Sequence, residues 1–206
     1  MSLPFGYADS QQRYADLRAE AARNVSLNTR FPEWPFRAPP GFATIYEYDT
    51  VLDDDFGTVL DALVKHYRED HLTVLGLSPG PDFYDDYYCF FPTFEMNSSS
   101  VLCDYGNAIW WEPAGDPTGS LGISVDVLAV TGPSGAWSVW AQRDWEIGVL
   151  LTKDEHGAWL NAAAPGFGTD LDLDDIRSPK GWGMPLTEND LSTFWKGIRE
   201  RGSGPA

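Results

Sequence analysis

The sequence predicts an α+β fold: a mainly antiparallel sheet of five or six strands with two or three helices packed on it. Three observations carry this reading. Apolar residues recur at helical spacing near both ends and once in between, whereas much of 83–152 breaks into short β-rich runs bounded by turn residues. The connections at 131–135 (Thr-Gly-Pro-Ser-Gly) and at 143–144 are too short for a parallel crossover, so the strands they join form an antiparallel meander. No internal repeat or compositional break divides the 206 residues, 43% of them hydrophobic, and the chain reads as one domain spanning 1–206.

Residues 8–25 are expected to form an N-terminal helix. Asp9 and Gln12 resemble a capping box, and Tyr14, Leu17, Ala21 and Val25 form a narrow apolar stripe. Residues 28–41 follow as a proline-rich strap. Pro32, Pro35, Pro39 and Pro40 forbid a helix or a central strand there. Phe31, Trp34 and Phe36 would each cost roughly 2–3 kcal/mol to leave in water, so the strap should be pinned to the body. Residues 42–152 hold a helix and the strands. The stretch 42–48 (FATIYEY) is a first strand, and the clearest helix follows it, capped at Asp49 or Thr50. Asp53, Asp54 and Asp55 fall in its first turn, where the dipole favours anions, and Leu52, Phe56, Val59, Leu60, Leu63, Val64 and Tyr67 face the core.

A short strand at 72–77 ends in a Ser-Pro-Gly-Pro loop, and strands are expected at 87–96, 100–111, 121–130, 136–143 and 146–152. Trp137, Val139 and Ala141 alternate with Ser138, Trp140 and Gln142, so that Trp137 and Trp140 fall on opposite faces. One of the two tryptophans should meet a helix and the other solvent or a partner. Residues 187–200 close the chain as a C-terminal helix, opened by a Thr187–Asp190 capping pattern, with Leu191, Phe194, Trp195 and Ile198 on one face.

The formal charge is −17, and its position matters more than its size. Residues 1–37 carry a net +1 and residues 177–206 a net +2, so 38–176 holds a net −20. Such a field repels phosphate backbones and anionic lipid, which argues against nucleic acid or a membrane as partner. It attracts a basic protein or a cationic ligand. The first residues lack the basic start and apolar core of a secretory signal, and no run approaches the ~18 apolar residues of a membrane span. Cys89 and Cys103 read as reduced thiols packed as small hydrophobes. A cytoplasmic location is expected.

The constellation that best fits recognition is Asp82, Tyr84, Asp85, Asp86 and Tyr88, carboxylates interleaved with rings, joined by Trp140. Charge and cation–π contact together would grip Lys or Arg at such a surface. The alternating acids Asp170, Asp172, Asp174 and Asp175 do not make a calcium loop, because Asp175 stands where its glycine belongs and Gly181 where its glutamate belongs. His66 and His71, five apart on an expected helix, point about 140° apart and cannot share a metal there. Phosphate-loop, dinucleotide, CxxC and HExxH patterns are all missing. No catalytic residue, metal or cofactor is therefore expected.

The expected function is non-enzymatic binding of a basic protein partner, in its most concrete form as an antitoxin or immunity-type inhibitor. The alternative is an enzyme or binding protein for a small polar ligand, a glycan or an amine, gripped by Asp, Tyr and Trp side chains. An exposed tryptophan face would also suit pairing into a homodimer.

Overall fold

The computed structural model describes residues 3–37, 41–155, 157–164 and 187–201. Its frame is one antiparallel sheet of six strands: β1 (Phe42–Glu47), β2 (His71–Ser78), β3 (Thr93–Asn97), β4 (Val127–Thr131), β5 (Trp137–Gln142) and β6 (Ile147–Thr152). Their order is β1-β6-β5-β4-β2-β3. The meander forms as expected, with Val130 opposite Val139 across β4–β5 and Val139 opposite Leu150 across β5–β6. Eight α-helices join the sheet among the described residues: α1 (Gln11–Ala21), α2 (Tyr48–Leu52), α3 (Phe56–Tyr67), α4 (Pro81–Tyr88), α5 (Val101–Ile109), α6 (Leu121–Ser124), α7 (Gly157–Ala163) and α8 (Glu188–Arg201). The class is α+β, with more helix than the sequence suggests.

Both faces of the sheet are covered. Trp137, Val139 and Leu150 point to one face and pack with Leu60, Leu63 and Val64 of α3 and with Tyr105 and Ile109 of α5. Val127, Trp140 and Val149 point to the other, beneath Phe31 and Phe36 of the strap and Phe194 and Ile198 of α8. The Phe31 ring meets Phe194 edge-on at 5.1 Å, and its backbone N–H donates to Gln142 Oε1 at 2.9 Å. Burial on two sides is why β6 reads as a nearly unbroken apolar run. Trp137 and Trp140 are accordingly both buried, which corrects the expectation that one of them meets solvent or a partner. Burying an indole such as Trp140 removes on the order of 200 Å² of ring from water, a gain the strap supplies without any partner.

Three local expectations change. Segment 100–111 is helical: Val101, Tyr105, Ala108 and Ile109 lie four, three and one apart and form one buried stripe. Segment 87–96 is strand only from Thr93, and its start belongs to α4, where Pro81 opens the helix and Asp82 complements its dipole. Residues 121–124 form α6 before β4 begins. The helix expected from Asp49 onward is two helices. Asp53 is extended, its carboxylate accepts the Asp55 N–H at 2.9 Å, and α3 starts only at Phe56.

At the N-terminus Ser10, not Asp9, caps α1, its hydroxyl accepting the Arg13 N–H at 3.3 Å. The Thr187–Asp190 capping box forms as expected, its two backbone N–H bonds each 3.1 Å long. Cys89 and Cys103 are free and exposed, on α4's left-handed cap and on α5, so neither is the buried hydrophobe expected. The acids 170–175 and His156 lie outside the described residues. No helix among the described residues is long and apolar enough to cross a membrane.

Candidate functional site: an acidic groove around Trp110

The turn that separates α2 from α3 places Asp53 and Asp54 beside the end of α5. The approach is close because α5 carries Gly106 there: a Cβ at that position would stand 2.0 Å from Asp54 Oδ1. Trp110, just past α5, donates its indole N–H to the Leu52 carbonyl at 2.9 Å. Its ring lies on Gly122 of α6, where a Cβ would come within 2.5 Å of a ring carbon. Two glycines thus bring two helices and a tryptophan together. Between them runs a groove of about 700 Å³, lined by Asp49, Asp53, Asp54, Asn107, Trp110 and Ile123 among others. Trp110 and Ile123 remain nearly half exposed, at 45% and 46%.

Arg143 is the cation in this lining, and it is already engaged. Its Nη2 donates to the Ile123 and Val125 carbonyls at 2.9 and 2.8 Å, and its Nε to Val125 at 3.0 Å. The guanidinium also lies 5.1 Å from the ring centre of Tyr48 and 3.5 Å from Asp126. Arg143 therefore closes the C-terminal end of α6, and Asp49, Asp53 and Asp54 stay exposed. Burial pushes the Tyr48 phenol well above its ordinary value, with Arg143 pulling the other way. Its hydroxyl donates to the Val125 carbonyl at 2.5 Å.

The acid–aromatic segment expected as the binding surface is α4, packed on the far side of α6. Tyr84 is fully buried. Ser124 gives its hydroxyl hydrogen to the Ser120 carbonyl at 2.7 Å, so Tyr84 is the donor in the 2.9 Å contact with Ser124. By the same logic Tyr88 donates to Thr118, which donates to Asp116 at 2.7 Å. That Thr118 contact holds Asp116 below the usual carboxylate range. Asp82, Asp85 and Asp86 are exposed beside Tyr87, 74% exposed. The structure keeps these three acids on the surface but withdraws Tyr84 and Trp140 from any contact with a partner, and Tyr88 is tied to Thr118.

Asp49, Asp53, Asp54 and Trp110 as one group escaped the sequence reading. The aspartates were legible only as helix-start acids, and Trp110 only as one of several tryptophans. Gly106 and Gly122, which bring the elements together, were the available signal. Among the described residues, Glu20, His71 and Glu95 group as ligands able to hold a metal ion. Comparisons with protein-family models, with curated proteins and with solved structures each return no match.

Proposed function

We propose that this chain binds a basic protein partner, with the groove around Trp110 as the contact surface. The observation that carries the reading is three exposed carboxylates beside a half-exposed indole, where the neighbouring guanidinium is tied to backbone carbonyls. An incoming Lys or Arg finds charge on one side and a ring face on the other, the pairing that gives cation–π contacts about 0.5–2 kcal/mol. Ile123 beside the indole adds apolar area at the centre, as interface anchors do. The net −20 of 38–176 steers such a partner from a distance.

In its finer form the reading is an immunity or antitoxin-type inhibitor that covers a basic toxin's surface. The exposed thiols of Cys89 and Cys103 suit a reducing compartment, and we place the protein in the cytoplasm.

The test is an NMR titration of the full chain with an arginine-rich decapeptide. The Trp110 indole signal and the amides of 49–54 are expected to shift first. Affinity should fall with added salt and fall again in Asp53→Asn and Asp54→Asn. Shifts scattered over α4 and α7 with Trp110 unmoved would refute the reading. The groove's volume also lies within the roughly 300–1,000 Å³ of small-molecule pockets, which favours a cationic amine as the second reading. Saturation of the same signals by spermidine, with the peptide inert, would select it.

A further inference from the structure

We propose that Glu20, His71 and Glu95 form a binding site for a divalent transition-metal cation of the Zn²⁺ class. The site shares no residue with the groove and stands independently of the partner reading. Its three side chains come from three elements: Glu20 from α1, His71 from the first position of β2, and Glu95 from the middle of β3. Register places Glu95 opposite Thr73, two residues along from His71 and on the same face, and α1 crosses that edge of the sheet.

The imidazole, hydrogen-bonded to one glutamate and paired with the other, sets the three donor atoms at spacings that also suit ligands of one cation. His71 Nε2 lies 3.0 Å from Glu20 Oε1 and 3.6 Å from Glu95 Oε2. Donor atoms bonded to a tetrahedral Zn²⁺ at about 2.0–2.1 Å stand about 3.4 Å from one another, between those two distances. One donor atom from each residue lies within 4.8 Å of the others. All three side chains are only partly buried, which leaves room for water in the remaining position. One nitrogen and two carboxylate oxygens suit Zn²⁺ and its first-row neighbours better than Ca²⁺.

The surrounding contacts fit the same role. Asp70 lies 2.7 Å from His71 Nδ1 and so fixes the ring, turning Nε2 toward the two glutamates. A carboxylate on the far nitrogen is the usual support of a metal-bound histidine. Arg13 holds Glu95 Oε1 at 3.0 Å and leaves Oε2 facing the imidazole. A metal there would clip α1 to the sheet edge, where its buried apolar side chains are few: Tyr14, Leu17 and Ala21, with Ala8 and the partly buried Phe91 beside them.

The test is calorimetric titration of the metal-free full chain with Zn²⁺. A Cys89→Ser, Cys103→Ser background removes the exposed thiols as competing ligands. One site per chain is expected, with a Zn²⁺-dependent rise in Tm and slowed amide exchange along α1. His71→Asn and Glu95→Gln should each abolish that site, and Asp70→Asn should weaken it about tenfold or more. His66→Asn should leave it intact. Should His71→Asn fail to fold, Glu95→Gln and the exposed Asp70→Asn decide the matter. A stoichiometric Zn²⁺ site that survives Glu95→Gln, or no binding by the parent chain at millimolar Zn²⁺, overturns the assignment.

Discussion

Helix α4 and the groove around Trp110 are built from the same side-chain types, carboxylates and rings, and they arrange them in opposite ways. Along α4 the helical repeat sorts them: Tyr84 turns inward among Phe83 and Phe90, and Asp82, Asp85 and Asp86 turn out to water. The groove draws its acids from α2 and the α2–α3 turn and its ring from the end of α5, so charge and indole share one concave surface. An acid–aromatic string on one helix sends Tyr84 into the core and leaves a convex, solvated ridge that carries the three acids and Tyr87. A concave mixed surface needs separate elements brought side by side, here over Gly106 and Gly122.

The contrast predicts that rings on the two sides of α6 fail differently when removed. Tyr84→Ala is expected to cost about 3–5 kcal/mol of folding stability in denaturant titrations, as loss of a buried ring does. The peptide-induced shift at Trp110 should persist wherever this variant is folded. Trp110→Ala should reverse the pattern, leaving most of the stability and losing about 2 kcal/mol or more of binding, roughly 30-fold in Kd. Paired measurements of unfolding and peptide affinity decide it. If Trp110→Ala binds normally while Asp85→Asn and Asp86→Asn do not, the roles of the two surfaces are exchanged.

The same contrast marks how far the sequence could be read. The meander was legible because 131–135 and 143–144 allow only tight turns. The strap was legible because four prolines and three aromatics leave few other arrangements. Segment 100–111 misleads because Val, Tyr, Ile and Trp suit a strand as well as a buried helix, and only the spacing of Val101, Tyr105 and Ile109 separates the two. Exposed Asp82, Asp85 and Asp86 were readable, since charge seldom goes inside unpaired. The burial of Trp140 was not, because its cover comes from Phe31, more than a hundred residues away in sequence, and from α8 at the opposite end of the chain. Glu20, His71 and Glu95 were hidden for the same reason: three distant positions meet only after α1 lies across the β2–β3 edge.

The smallest expected effect separates the two sides of α6 by pH alone. Burial pushes the Tyr84 phenol up to about 12 from its ordinary 10.0. A raised folded pKa means the neutral phenol is favoured in the folded protein. Its contribution is complete below about pH 10 and is lost as pH climbs toward 12, so stability declines across that window. Tyr84→Phe has no proton to lose there. It should cost about 1 kcal/mol at pH 8, for the missing hydrogen bond, and progressively less as pH rises, until the two unfolding midpoints cross near pH 11 and the Phe variant becomes the more stable. Tyr46, Tyr48 and Tyr105, also raised by burial, weaken both proteins equally and drop out of the difference, whereas Tyr7, raised by burial and then by its interaction with Tyr84, does so only in part. A constant gap between the two midpoints across that range would mean that Tyr84 titrates like an exposed phenol, and the inward-facing half of the comparison would fail.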